Sequence, residues 1–281
     1  MRTVKSYCKI NLSLRVLKKF KNGLHDIESN TLLLNLHDTI KINKINKNKD
    51  IIIFQGKFKK LINKSKNSII HTLSILRDNE LIKKEDRYKI IIEKKIPVFS
   101  GLGGGTSNAA FLIKYFLKDK INVSILKIFE KKIGSDLRLF LNKQVYQQNL
   151  KRLKKYKRNF RFCFVLVYPY IKCSTKEIYS KIKRHSLPSK IGASDITSEN
   201  KFINLLKKER NDLQEISASK FRILRLILNF ISIQEGCRFS RMTGSGSVCF
   251  GIFKSKESAI LATKRIKKKF PKYWCVFAKT I

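Results

Sequence analysis

The sequence predicts an α+β protein in two domains, and three observations carry that expectation. Apolar runs with the two-residue period of strands alternate with runs of helical spacing along the whole chain. The 281 residues suffice for one sizeable domain or two of ordinary size, and 43% hydrophobic residues support a real core. Between 143 and 159 the pattern gives way to a polar, basic stretch, which places a boundary near 155 and divides the chain into 1–155 and 156–281.

In the first part, residues 3–17 alternate as a strand with Lys9, Ile10 and Asn11 at its middle, and Asn22-Gly23 is a hairpin signal. A second apolar run covers 31–36, and 41–54 reads as strand, polar turn, strand. Ser68–Asp78 has helical spacing with Asn67 or Ser68 as its cap, and Arg87–Glu93 is a strand. Residues 123–132 are helical, and Asp136 in the turn that follows has the placement of a helix cap. In the second part 160–169 is a buried strand, and 174–182 opens a helix with the Ser174/Glu177 spacing of a capping box. Residues 185–200 read as a loop, 201–206 and 213–235 as helices. Residues 238–253 form two strands around a Gly-Ser-Gly turn, 258–269 an amphipathic helix, and 274–278 a closing strand.

Composition narrows the class without naming the function. The balance of 62 Lys+Arg against 20 Asp+Glu gives a net charge of +42, which points toward a polyanionic partner. The basic residues are nevertheless spread along the whole chain and travel with heavy Ile and Asn usage, as in IKINKINKNK at 40–49, the pattern an AT-rich coding sequence imposes. Charge alone therefore does not decide function. Six cysteines without a CxxC pair indicate neither a zinc site nor a disulfide framework. The amino-terminal residues lack an apolar signal core, and no stretch of about eighteen uncharged apolar residues occurs. The expectation is a cytoplasmic protein with no membrane partner.

The most informative stretch is 94–118, KKIPVFSGLGGGTSNAAFLIKYFLK, a strand exit followed by a glycine loop and the start of a helix. Glycines without Cβ let backbone N–H groups close on anionic oxygens, and a helix start adds about half a positive charge. Thr106 or Ser107 is placed to cap that helix. A P-loop would need GxxxxGK, and no Gly-Lys pair follows the glycines. A dinucleotide fingerprint would need a glycine where Thr106 stands, and a protein-kinase glycine loop lies between two strands, not before a helix.

Three separated stretches together resemble the GHMP small-molecule kinases. PVFSGLGGGTSNAA is similar to their second motif, Lys9-Ile10-Asn11-Leu12 to their first, and Arg241-Met242-Thr243-Gly244-Ser245-Gly246 to their third. Adding NGLH at 22–25, GSD at 134–136 and RND at 210–212, the set resembles the branch of the superfamily that phosphorylates a cytidine-diphosphate-linked methylerythritol. The matches run in order from residue 9 to about 280, so the resemblance covers essentially the whole chain.

The resemblance implies a two-domain fold, a ribosomal-S5-like amino-terminal α/β domain and a ferredoxin-like carboxy-terminal domain. It implies ATP-dependent phosphorylation of the substrate's 2-hydroxyl, in non-mevalonate isoprenoid precursor synthesis, with Mg²⁺ as a cofactor. Carried over by motif, Asp136 would accept the hydroxyl proton and Lys9 would hold its carboxylate ionised. Pro97, Gly101, Leu102, Gly103, Gly104, Gly105, Thr106 and Ser107 would bind ATP with Lys94 nearby, and Ser107 would be a metal ligand. Asn11, His25, Thr175 and Tyr179 would address the substrate, His25 and Tyr179 at the cytosine. Taken singly, Lys9 is equally a solvated strand residue, His25 a turn histidine and Tyr179 a half-core aromatic. Two departures stand out: Leu24 replaces the tyrosine usual before that histidine, and Arg138 stands where a proline is usual, putting a cation near Asp136. The expected partner is a small molecule, not nucleic acid, and the expected state a monomer or weak homodimer. The other readings are another GHMP small-molecule kinase, or a basic RNA-binding protein on an S5-like fold.

Overall fold

The computed structural model describes residues Met1–Ile281. In chain order the elements are β1 (Arg2–Asn11), β2 (Arg15–Lys19), β3 (His25–Ile45), β4 (Ile51–Gln55), α1 (Ser68–Asp78), β5 (Arg87–Glu93), α2 (Gly104–Leu117) and α3 (Val123–Ile133). A 3₁₀ segment, Ser135–Leu141, leads to β6 (Gln144–Gln147), β7 (Leu153–Lys154), β8 (Cys163–Tyr168), α4 (Thr175–Ser180) and α5 (Glu199–Lys208). The chain closes with α6 (Gln214–Lys220), α7 (Ile223–Ser232), β9 (Cys237–Met242), β10 (Cys249–Phe253), α8 (Lys256–Lys269) and β11 (Trp274–Lys279).

These elements gather into two compact units that interleave along the chain. One comprises Met1–Lys9, Leu36–Val98 and Gly103–Asn142; the other comprises Ile10–Asn35, Phe99–Leu102 and Lys143–Ile281. In the first unit β5 pairs antiparallel with the end of β3, from Thr39 opposite Glu93 to Ile45 opposite Arg87, and β4 runs parallel to β5. The two-residue period of β5 works as expected: Tyr88, Ile90 and Ile92 are buried, whereas Lys89 and Glu93 face out. Helix α1 packs on α2 and α3. Asn67 caps α1, its side chain accepting from the Ile69 and Ile70 N–H groups at 3.1 Å.

In the second unit the start of β3 pairs antiparallel with β2 and β6, and β6 with β7. A separate antiparallel sheet has the order β11-β8-β10-β9, with α7 against β9 and β10 and α8 against β8, β10 and β11. Val165, Val167, Ile227, Ile231, Ala262 and Ile266 are among the residues that fill its core. No helix is long and apolar enough to cross a membrane. All six cysteines are free thiols, and burial pushes those of Cys173 and Cys237 up to about 11.

The structure departs from the sequence expectation at several places, three of which follow. Strand β3 is continuous over 21 residues instead of two shorter strands, because Asp38 at its middle is fully buried but partnered. The polar stretch after 143 holds β6, whose Gln144 exchanges side-chain hydrogen bonds with the Phe160 backbone at 2.7 and 2.9 Å. A buried amide satisfied in this way costs little, and composition cannot reveal it. The helix expected over 213–235 breaks at Phe221, whose ring packs on the core between α6 and α7.

Candidate active site

The glycine loop delivers an open helix N-terminus. Gly103 is the N-cap of α2, in the left-handed region at φ +69, and no side chain caps the helix. Neither Thr106 nor Ser107 takes the capping position expected from the sequence. The first N–H groups of α2, starting at Gly104, therefore lack intrahelical partners and remain open to an anion. Gly105 is exposed and Thr106 half-buried at that end.

Ser107 points the other way. Its fully buried hydroxyl donates to the Tyr7 carbonyl of β1 at 2.6 Å and lies 2.6 Å from the Ser6 hydroxyl. Its expected place as a metal ligand is thus corrected: one turn into α2 the side chain faces the strand behind the helix, not the loop mouth.

Lys94 is also turned inward. Its side chain is buried, and its ammonium ion-pairs with Asp38 and donates to Asn108 Oδ1 at 2.9 Å. Burial pushes the lysine pKa down, opposed by the Asp38 charge. The other Asp38 oxygen accepts from the Lys95 and Ile96 N–H groups at 2.7 and 2.9 Å. Asn108 Nδ2 donates to Asp38 at 3.0 Å and to Ser6 at 2.9 Å. This network joins β1, β3, the β5 exit and α2. Lys94 thus sits under Gly104, at 3.5 Å from the position a Cβ would take there, with its charge already matched.

Lys9 and Asp136 come together in the first unit. Lys9 Nζ lies 3.5 Å from Asp136 Oδ2; the lysine is almost fully buried, while the carboxylate remains 36% exposed and accessible to a ligand. Asp136 stands in the 3₁₀ segment after Gly134, which is itself the N-cap, so the aspartate is not a capping residue. A Cβ at Gly103 would lie 3.3 Å from Lys9 Cε and 2.8 Å from the Phe140 ring. Only a glycine lets the helix start approach the Lys9 side chain this closely. The Arg138 guanidinium binds both Glu130 oxygens of α3 at 2.5 Å.

In the second unit the Thr243–Ser247 turn is a hub. A Cβ at Gly101, φ +81, would collide with the Thr243 carbonyl, so the first loop glycine rests directly on this turn. The Asn11 N–H donates to Thr243 Oγ1 at 2.9 Å, and Asn11 Nδ2 donates to Ser29 and Thr31 at 2.8 and 3.2 Å. Asn211 Nδ2 braces the Met242 and Gly244 carbonyls, both at 2.8 Å. Thr175 Oγ1 lies 3.0 Å from Ser245 Oγ. Pro97 and Leu102 are buried supports of the loop ends. The His25 and Tyr179 rings meet with centroids 4.8 Å apart at 39°. Partial burial, with smaller contributions from Lys19 and His185, holds the His25 pKa below its ordinary value, so the imidazole is neutral at pH 7.

Comparison with known proteins places this geometry. A 4-diphosphocytidyl-2-C-methyl-D-erythritol kinase of Pelagibacter ubique is 36% identical over 99% of this chain and 98% of its own. The chain belongs to the 4-diphosphocytidyl-2-C-methyl-D-erythritol kinase family. A second member of that family, from Anaplasma phagocytophilum, is 30% identical over 96% of this chain and 90% of its own. Residues 196–272 match the family model described as GHMP kinases C terminal. The fold is that of a solved 4-(cytidine 5'-diphospho)-2C-methyl-D-erythritol kinase, with a TM-score of 0.73 at 21% identity over 99% of this chain and 98% of that one. A homoserine kinase from Cytophaga hutchinsonii shares it at a TM-score of 0.68, 16% identity, and 100% and 95% coverage. Of the readings the sequence offered, these comparisons support the kinase.

The kinase family's motifs marked Lys9, Asp136, the loop and, through RND at 210–212, Asn211, but not Asp38. For Asp38 a signal existed: a lone acid inside an otherwise strand-forming run, NLHDTIKI, needs a buried partner.

Proposed function

We propose that the protein phosphorylates the 2-hydroxyl of 4-diphosphocytidyl-2-C-methyl-D-erythritol with ATP, a step in non-mevalonate isoprenoid precursor synthesis. The observation that carries this reading is the Lys9–Asp136 pair, which sets an accessible carboxylate and its cation beside the open start of α2. Phosphoryl transfer requires positioning and charge neutralisation more than covalent help. Asp136 takes the proton of the 2-hydroxyl as its oxygen bonds to the γ-phosphorus and the bridge to ADP breaks. Lys9 offsets negative charge on the attacking oxygen. The N–H groups of Gly104, Gly105 and Thr106 receive phosphate oxygens, and His25 and Tyr179 receive the cytosine.

No group of three His, Cys, Asp or Glu side chains stands together in the chain. That donor set fits Mg²⁺ carried on ATP oxygens and water with at most one or two carboxylates, its ordinary chemistry. Bound in this way, the ion would neutralise phosphate charge. We place the protein in the cytoplasm, acting on this small molecule as a monomer or weak homodimer.

The test is ADP release by the purified protein with ATP, Mg²⁺ and the cytidine substrate, with ³¹P NMR locating the new phosphate on the 2-oxygen. Homoserine and mevalonate serve as competing acceptors. Turnover of homoserine without turnover of the cytidine compound would overturn the substrate assignment.

A further inference from the structure

Within the second unit, the β2–β3 hairpin holds a cation beside the His25 ring. Strand register sets Lys19 of β2 directly opposite His25 of β3. Opposed residues of an antiparallel pair point to the same face with Cβ atoms about 4.5–5.5 Å apart, so the lysine stem runs alongside the imidazole. The turn fixes that register: the Phe20 N–H donates to the Leu24 carbonyl at 2.7 Å, the Leu24 N–H donates to Asn22 Oδ1 at 3.1 Å, and Gly23 supplies the left-handed residue at φ +83. The adjacent pair, Lys18 and Asp26, points to the opposite face, where buried Asp26 accepts from the Leu150 N–H at 3.0 Å.

Lys19 is exposed and forms no ion pair. Nearby lysines are engaged: Lys181, two residues beyond Tyr179, pairs with Glu177, and the Lys18 ammonium lies 5.1 Å from the centre of the Phe20 ring. The charges that act on the His25 imidazole are those of Lys19 and His185, both of which disfavour its protonation, and no carboxylate offsets them. An exposed cation held beside the His25–Tyr179 ring pair, with no acid to match it, is placed for an anion attached to whatever the rings bind. A nucleoside diphosphate has that build, a planar base for the rings and a doubly anionic diphosphate on the same ribose.

We propose that Lys19 binds the diphosphate of a cytidine diphosphate whose base rests on His25 and Tyr179. This rests on the reading that those two rings receive the cytosine and deepens it, by naming the residue that tells a nucleoside diphosphate from the bare nucleoside. ATP and ADP also carry linked phosphates. The pairing of Lys19 with His25 assigns the lysine to the cytidine compound.

The test measures dissociation constants for CDP, cytidine and ADP by NMR titration, with KM and kcat for both substrates, in the wild type, Lys19→Met, Lys19→Arg and Lys18→Met. Lys19→Met is expected to weaken CDP binding about tenfold, the loss of one charge-assisted contact, and to raise KM for the cytidine substrate by the same factor. Cytidine and ADP affinity, KM for ATP and the melting midpoint stay unchanged, and kcat falls less than about twofold. Lys19→Arg retains CDP affinity, and Lys18→Met, on the opposite face, behaves as the wild type. Without any ligand, the His25 pKa read from an NMR pH titration rises in Lys19→Met, because a charge that opposes protonation is gone. Unaltered CDP affinity in Lys19→Met overturns the proposal. So does an equal loss of cytidine affinity, which would place Lys19 at the base, or an equal loss in Lys18→Met, which would mean general surface charge. A loss of ADP affinity instead would assign the lysine to the other nucleotide, and a His25 pKa that does not move would remove Lys19 from that ring. A wild type that binds neither CDP nor cytidine overturns the cytosine reading and the proposal with it, whereas unaltered CDP affinity in Lys19→Met leaves that reading standing.

Discussion

Lys9 Nζ lies 3.5 Å from Asp136 Oδ2, and the two differ sharply in exposure, 6% against 36%. A buried cation beside an accessible carboxylate suits the proposed pairing of a proton acceptor with a group that neutralises charge on the attacking oxygen. Asp136→Asn keeps the shape and removes the proton acceptor. Turnover is expected to fall roughly 10²- to 10⁴-fold while ADP still binds, as measured by steady-state kinetics and calorimetry. Near-normal turnover would remove Asp136 from the mechanism.

Gly103 joins that pair to the phosphate loop, and its replacement tests the joint. Gly103→Ala places a Cβ 2.8 Å from the Phe140 ring and against Lys9, on a backbone at φ +69. The left-handed conformation alone costs alanine about 1–2 kcal/mol. A displaced Lys9 then lowers kcat, so kcat/KM should drop at least about tenfold while the protein remains folded by circular dichroism. An unchanged kcat would show that the contact between Gly103 and Lys9 does not matter to the chemistry.

Much of this could be read from the sequence, because the residues involved lie where local rules operate. The alternation in 87–93, the Asn67 cap and the Gly-Ser-Gly turn between β9 and β10 are each set by neighbours a few positions away. What escaped the reading depends on distant partners. Ser107 looks like a loop hydroxyl until Tyr7 and Ser6, about a hundred positions earlier, claim it. The burial of Lys94 against Asp38 and the pairing of Arg138 with Glu130 are equally invisible in the sequence, because each partner is brought in by the fold. The interleaving of the two units is hidden for the same reason: β1 and β3 each pass from one to the other within a single strand.

The Asp38–Lys94 pair should reveal its structural role through non-additivity. Lys94→Met leaves the Asp38 carboxylate buried without its cation, which costs about 3–5 kcal/mol in comparable cases. Adding Asp38→Asn to that variant removes the stranded charge, and the asparagine oxygen can still accept from the Lys95 and Ile96 N–H groups. Chemical denaturation is expected to show the double variant more stable than Lys94→Met alone. Equal or lower stability would mean that the carboxylate is not the source of the cost.

If His25 receives the cytosine as proposed, acceptor binding should be sensitive to acid. Its pKa lies below the ordinary histidine value of 6.5, chiefly because burial disfavours the charged form, so folding favours the neutral ring. As pH falls below 6.5 the unfolded chain takes up the proton first, and the stability contributed by neutral His25 is lost as the pH drops through the folded value. Neutral imidazole offers one donor and one acceptor, whereas imidazolium offers only donors, and cytosine presents both kinds of group along one edge. KM for the cytidine substrate is therefore expected to rise as the pH is lowered from 7.5 toward 5.5, while KM for ATP changes less. His25→Gln keeps a neutral donor and acceptor and should flatten that profile. A profile that keeps its slope in His25→Gln would place the titrating group elsewhere and remove His25 from cytosine recognition.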